Sequence, residues 1–425
     1  MEVKVFPNTH IEGSVIIPAS KSYAQRAIAL SLLVNGETTI LGVGNSDDEL
    51  AARSIIEKCG AKIEEIKNGL KVKSTGKLKD HISEVNVHES GLSTRMFTPI
   101  LANSTNEIVV NGSGSILQRP MDFFITNLPK LNVSISTNNS FLPLKIKGSL
   151  IPKSITVDGS KSSQYITGLV YGYIASPKLK DEVITIKNLT SKPYLDLSLS
   201  VLKNFGVDLK LTDNKICFNG PYQLNPKTIN VEGDWSSASF LLVAAAILGK
   251  VKIHNLNLQS AQSDIMILSA IKLFGADVKW DKNDLVVQKN NSNSFNFDAT
   301  QCPDLFPPLA VLAVASKGKS RIKGIHRLTH KESNRALVIQ REFRKVGVSV
   351  TLNESTDEMI IEGEAKIKGA VVDSNGDHRI AMAMAILGLI SEEPITIKNA
   401  EAVTKSFPAF YEVLDSLIEN KTIWI

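Results

Sequence analysis

Several things are scarce in this chain of 425 residues, and each scarcity excludes something. The cysteines are three, Cys59, Cys217 and Cys302, odd in number and far apart, so no disulfide framework is implied; a reduced, cytoplasmic protein is expected. Long apolar runs are missing. The most apolar segment, Ala238 to Leu248, is too short to span a bilayer and predicts a buried helix, and Met1-Glu-Val-Lys-Val-Phe-Pro lacks the apolar stretch of a signal peptide, so no membrane role is expected. An excess of one sign of charge is nearly absent: the formal net charge of +5 is too slight to argue for nucleic acid, and no basic run is interleaved with aromatics. A small positive excess does suit a site that holds anions. What is present, 43% hydrophobic and 21% charged residues, describes a soluble globular chain, long enough for two domains or three.

An internal period follows. At five places a helical pattern stops and a strand pattern begins with one grammar: Lys58-Cys-Gly60-Ala-Lys-Ile, Lys130-Leu-Asn132-Val-Ser-Ile, Asn204-Phe-Gly206-Val-Asp-Leu, Leu273-Phe-Gly275-Ala-Asp-Val and Lys345-Val-Gly347-Val-Ser-Val. Glycine just past a helix supplies the left-handed residue that ends it, and asparagine tolerates that conformation. The steps are roughly 70 residues, a spacing of supersecondary units.

Upstream of each strand a polar loop opens a small-residue helix. The loops are Pro18-Ala-Ser20-Lys21-Ser22, His88-Glu89-Ser90-Gly91, Asp158-Gly-Ser-Lys-Ser162-Ser163, Glu232-Gly-Asp234-Trp-Ser-Ser237, Gln301-Cys-Pro-Asp304 and Asn375-Gly-Asp377-His378. Serine and aspartate cap helix N-termini, and such an end, with free N–H groups and a positive dipole, is an anion site. Six ordinary caps would explain each loop singly. Six in register with the helix-end grammar imply one repeated unit, and several ends on one cleft would take a multiply anionic substrate.

These residues resemble a known family. Ser20-Lys21-Ser22 with Arg26, Gln118-Arg119-Pro120, Ser162-Ser163-Gln164, Ser191-Lys192-Pro193-Tyr194, Pro303-Asp304, Lys331-Glu332-Ser-Asn-Arg335, Asp377-His378-Arg379 and Lys405-Ser-Phe-Pro408 are similar, in order, to the motif series of 5-enolpyruvylshikimate-3-phosphate synthases. The resemblance implies a two-domain inside-out α/β barrel of the enolpyruvyl transferase type, with six repeated units, three per domain. One domain would combine residues 1–19 and 233–425, the other would be 20–232, and the active site would lie in the interdomain cleft. It also implies transfer of the carboxyvinyl group of phosphoenolpyruvate to the 5-hydroxyl of shikimate 3-phosphate through a tetrahedral intermediate, a step toward chorismate and the aromatic amino acids. No cofactor and no metal are implied, the partners are the two small substrates, and a monomer is expected.

Carried over residue by residue, Lys21 touches both substrates, while Ser22, Arg26, Ser162, Ser163, Gln164, Ser191, Asp304 and Lys331 hold shikimate 3-phosphate. Gly91, Arg119, Gln164, Arg335, Arg379 and Lys405 face phosphoenolpyruvate, and Tyr194 and His378 support them. Asp304 is the candidate base, with Glu332 and Lys21 rival proton donors. Two phosphates and two carboxylates bring roughly −5 to −6. Seven cations (Lys21, Arg26, Arg119, Lys331, Arg335, Arg379, Lys405) against Asp304 and Glu332 would leave the unliganded site strongly positive.

Some positions depart from the family's pattern. Glu89-Ser90-Gly91-Leu92 stands where Asn-Ala-Gly-Thr is usual, so Glu89 and Leu92 are expected to lose polar contacts, and Arg327 replaces a polar residue. Taken alone, Lys331 to Arg335 is an ordinary ion-paired helix start, Asp304 an ordinary N-cap, and His378 a satisfied cap histidine. Two other functions are weighed. A sugar-nucleotide (UDP-N-acetylglucosamine) enolpyruvyl transferase normally has a cysteine in the loop matching Asn111–Met121, and this chain has none there. A non-catalytic binding protein would have lost Lys21, Asp304 or Glu332, and all three stand. Lys317-Gly-Lys-Ser320 lacks the upstream glycine of a P-loop, and His326 with His330 has metal-ligand spacing but no accompanying glutamate motif.

Overall fold

A computed structural model describes residues 1–282, 284–329 and 331–425; His330 lies outside the described residues. All five expected helix ends turn on a left-handed residue, with φ of 108° at Gly60, 64° at Asn132, 92° at Gly206, 100° at Gly275 and 87° at Gly347. A Cβ is costly in that conformation, which is why glycine and asparagine stand there.

The chain divides into a continuous unit, Ala19–Val231, and a discontinuous one, Met1–Pro18 with Glu232–Ile425. Each unit holds three four-stranded sheets built to one plan. An edge strand runs parallel to a second strand, which pairs antiparallel with a third, which pairs with a fourth. Glu84–Asn86, Ile108–Asn111, Phe141–Gly148 and Val133–Asn138 form one such sheet in the continuous unit. In the discontinuous unit the sheet of Val371–Asp373, Ile395–Lys398, Glu2–Val5 and Ile423–Trp424 brings the two ends of the sequence together. Strand residues alternate between buried and partly exposed, so each sheet turns one face inward and one to water.

Inside each unit lie the helices opened by the polar loops: Lys21–Leu32, Gly91–Leu101 and Ser163–Ile174 in the continuous unit, and Trp235–Leu248, Phe306–Val314 and His378–Leu389 in the other. The Gly91, Phe306 and His378 helices are buried along their whole length, as a helix apolar on every side must be. The segment Ala238 to Leu248 is likewise fully covered. Small residues let these helices touch: a Cβ added to Gly168 would stand 2.0 Å from the carbonyl oxygen of Arg95. Helices such as Asp47–Lys58, Lys192–Asn204 and Arg335–Lys345 keep an exposed face. Buried helices inside and sheets outside make the inside-out α/β architecture, and no described helix is long and apolar enough to cross a membrane.

Candidate active site

Five of the six loops cap their helices as the residue types predict. Ser20 accepts from the Tyr23 N–H, Ser90 from Ser93, Ser162 from Gln164, Asp234 from Ser237 and Asp377 from Arg379. The sixth does not. Asp304 sits within a 3-10 turn, Pro303–Leu305, that runs into the Phe306 helix, and its carboxylate accepts from side chains instead of capping.

In the discontinuous unit that carboxylate is a hub. Its Oδ1 accepts from Lys331 Nζ at 3.1 Å and Arg335 Nη1 at 2.7 Å, and its Oδ2 from Arg379 Nη2 at 3.2 Å. Burial works to raise its pKa, but Arg379, Lys331 and Arg335 outweigh burial and hold it well below the usual carboxylate range. Burial pulls the Lys331 ammonium below its ordinary value. Arg335 is wholly buried. It donates from Nε to Asp377 Oδ2 at 2.8 Å and from Nη2 to Glu332 Oε2 at 2.6 Å, and these acids overcome the burial that would lower its pKa. Asp377 thus does two jobs, since its Oδ1 also caps the helix on Arg379 N–H at 3.0 Å. His378 follows it, buried, with Nδ1 3.9 Å from Asp377 Oδ1. Lys405 closes the 3-10 turn Ala400–Lys405 and is 6% exposed.

Asp264 also belongs to this cluster, although the sequence motifs did not single it out. Ser236 donates to its carboxylate and accepts from Arg379 Nη2 at 3.2 Å, so Asp264 reaches Arg379 through one hydroxyl. Burial, then the charge of Asp304, push its pKa up to about 6. Arg327 stands close enough to feel Asp304, and burial holds it below its ordinary value. The expected cations are not left bare in this unit: Lys331, Arg335 and Arg379 pair with Asp304, Glu332 and Asp377, because a buried cation needs an acid nearby.

In the continuous unit helix starts are cross-linked by side chains. Lys21 Nζ donates to Asp48 Oδ2 at 2.9 Å, a partner 27 residues away. Arg26 is 1% exposed and braces two helices, giving Nε to Ser198 Oγ at 2.8 Å, Nη1 to the Ser22 carbonyl at 2.6 Å and Nη2 to the Tyr194 carbonyl at 3.4 Å. Gln25, buried beside it, accepts from Ser90 Oγ at 3.0 Å and Ser93 Oγ at 3.1 Å, which fixes the start of the Gly91 helix. Gln164 Oε1 accepts from Arg95 Nη1 at 2.7 Å, and Arg95 stacks over the Tyr165 ring, 5.0 Å from its centroid. Tyr165 in turn donates to the Pro120 carbonyl at 2.9 Å, anchoring the segment that carries Arg119. Ser162 caps the Ser163 helix, Ser163 is its buried first residue, and Ser191 opens the Lys192 helix in a left-handed conformation, φ 53°.

Gly91 lies under two guanidiniums. A Cβ there would meet Arg119 Nη1 at 2.7 Å and Arg95 Nη1 at 3.0 Å, so the absent side chain is what lets both arginines stand over the helix start. Leu92 is buried and presents no polar atom. Glu89 finds partners within the chain: its Oε2 accepts from Ser115 N–H at 3.2 Å and Ser115 Oγ at 3.0 Å. Arg95 was missed in the sequence; it lies four residues past Gly91, one helical turn on, which was the signal available.

Comparisons with known proteins identify the family. Residues 5–414 match the family model described as EPSP synthase (3-phosphoshikimate 1-carboxyvinyltransferase). A 3-phosphoshikimate 1-carboxyvinyltransferase of Clostridium novyi is 35% identical over 422 residues, covering 96% of each chain. One from Pyrococcus abyssi is 35% identical over 402 residues, 94% of each. Among solved structures, an EPSP synthase from Acinetobacter baumannii superposes with a TM-score of 0.82 at 26% identity over 99% of both chains. The enolpyruvyl transferase NikO from Streptomyces tendae shares the fold, with a TM-score of 0.77 at 13% identity over 99% of this chain and 98% of its own. With a family model spanning nearly all of its length and full-length relatives above 30% identity, the chain belongs to the EPSP synthase family.

Proposed function

We propose that the Asp304 cluster and the helix starts of the continuous unit serve one pair of substrates, phosphoenolpyruvate and shikimate 3-phosphate. The chain is a 3-phosphoshikimate 1-carboxyvinyltransferase, a transferase of the shikimate pathway, and the sugar-nucleotide alternative is not favoured. In this reading the chain acts as a cytoplasmic monomer. Ser162, Ser163, Gln164 and Ser191 receive the phosphate of shikimate 3-phosphate with hydroxyl, amide and helix-end N–H groups, and Lys21, Ser22 and Lys331 hold the rest. Arg26, buried against Ser22, shapes that face from behind. Lys21, Arg119, Arg379 and Lys405 grip phosphoenolpyruvate over Gly91, while Arg335 keeps the acids in place. Tyr194 and His378 act as supports.

The chemistry needs a base and an acid. The 5-hydroxyl oxygen bonds to the central carbon of phosphoenolpyruvate as its proton passes to Asp304, and the methylene carbon takes a proton from Glu332 or Lys21. Phosphate then leaves as the new methyl group gives a proton back. Asp304 bonded to three cations is a weak base. Bound anions that share Arg379 and Lys331 weaken that hold and raise its proton affinity, so substrate binding itself tunes the base.

The observation that carries this reading is Asp304, a carboxylate bonded at once to Lys331, Arg335 and Arg379. Phosphate release from the purified protein tests it. Release is expected only when both substrates are present, and unchanged by EDTA. Turnover with UDP-N-acetylglucosamine in place of shikimate 3-phosphate, or a requirement for a divalent metal, would overturn it.

A further inference from the structure

Glu89 departs from the family's pattern, and the structure gives it work that the pattern does not contain. It is followed by Ser90, the cap of the Gly91 helix, and its carboxylate points to the turn Gly114–Gln118, which leads directly to Arg119. Glu89 Oε2 accepts from both the N–H and the hydroxyl of Ser115. The fit is close: a Cβ on Gly114, which has φ 59°, would stand 2.2 Å from the Glu89 carboxylate. The same turn is anchored by backbone just before it and closed on itself at its end. The Ser113 N–H donates to the His88 carbonyl at 2.9 Å, and the Arg119 N–H donates to the Ile116 carbonyl at 3.1 Å. Ile116 is fully buried and lies 3.7 Å from where a Gly91 Cβ would be, so the turn packs on the helix start it crosses.

We propose that Glu89 is a positioning residue that clamps the Gly114–Gln118 turn and thereby sets the Arg119 guanidinium over Gly91. This rests on the reading of Arg119 as a phosphoenolpyruvate ligand. One backbone anchor to His88, the turn's own closing bond and one charge-assisted pair of hydrogen bonds define where the arginine begins, and Gly91 defines where its Nη1 ends. A neutral amide at 89 keeps the acceptor and loses the charge; alanine loses both.

Steady-state kinetics of the full chain, paired with hydrogen exchange at the Ser115 amide, test the inference. In Glu89→Ala the KM for phosphoenolpyruvate rises about tenfold or more, the cost of a lost hydrogen bond to a charged group. The KM for shikimate 3-phosphate stays within about twofold, and the Ser115 amide exchanges faster. Glu89→Gln restores part of both. An unchanged phosphoenolpyruvate KM in Glu89→Ala, an equal rise in both KM values, or unaltered Ser115 exchange would overturn the proposal. A parent protein that releases no phosphate from the substrate pair would sink the functional reading instead, and the exchange measurement would then decide the clamp alone.

Discussion

In the discontinuous unit, Lys331, Arg335 and Arg379 meet carboxylates at hydrogen-bond distance, whereas in the continuous unit Arg26 and Arg95 are held by neutral oxygens: two backbone carbonyls, a serine hydroxyl and a glutamine amide. The difference has a physical consequence. Neutral acceptors satisfy the N–H groups without cancelling the charge, so Arg26 and Arg95 keep positive potential for anions, while Lys21 in the same unit is paired with Asp48. Acids cancel the charge, so the discontinuous unit trades grip for a set of coupled protonation sites. In the proposed reading one cluster serves mainly for holding and the other for proton transfer.

The contrast can be broken most severely at Arg335. It is fully buried between Asp377, Asp304 and Glu332, and its loss strands the fully buried Asp377 carboxylate and takes a partner from Asp304 and Glu332. Arg335→Ala should lower the unfolding free energy by about 3–5 kcal/mol, read by urea denaturation. A loss below about 1 kcal/mol would show that the acids find other partners.

Asp264 sharpens the contrast through pH. Its pKa is raised to about 6 by burial and Asp304, so the native state binds its proton more tightly than the unfolded chain does. Its contribution to stability is full below the unfolded value of about 4 and is lost as pH rises through 6. Asp264→Asn should therefore exceed the parent in stability by roughly 2–3 kcal/mol at pH 8, with the gap closing toward pH 4. A gap that does not vary with pH would contradict the assignment.

The smallest effect belongs to the continuous unit. Ser162→Ala removes one helix cap, worth about 1 kcal/mol of stability, and should raise the KM for shikimate 3-phosphate severalfold without a pH dependence of its own. An effect confined to phosphoenolpyruvate would place Ser162 at the other substrate.

Local features of the fold were legible in the sequence because single residues decide them. Gly60, Asn132, Gly206, Gly275 and Gly347 end helices through their own backbone freedom, and Ser20, Ser90, Ser162, Asp234 and Asp377 cap through short reaches of their own side chains. Asp304 was open to reading as one more cap because the residue type fits. It sits one step inside a 3-10 turn and binds cations 27, 31 and 75 residues off, and no local pattern reports those. The same holds for Lys21 with Asp48, Arg95 with Gln164, and Asp264 with Arg379 through Ser236: each pairing is made by packing, not by spacing. Counting motif charges therefore overstated the positive excess, since buried acids such as Asp264 lie outside the motifs.

The division of labour is tested most directly at its hub. Asp304→Asn keeps the shape of the side chain, turns one of its two acceptor oxygens into a donor, and removes its ability to accept the hydroxyl proton as a carboxylate. Calorimetric binding of shikimate 3-phosphate and steady-state turnover should be measured on the same preparation. The account predicts affinity within a few fold of the parent and kcat lower by roughly 10²–10⁴. Near-normal kcat, or a loss that falls on shikimate 3-phosphate binding alone, would contradict it.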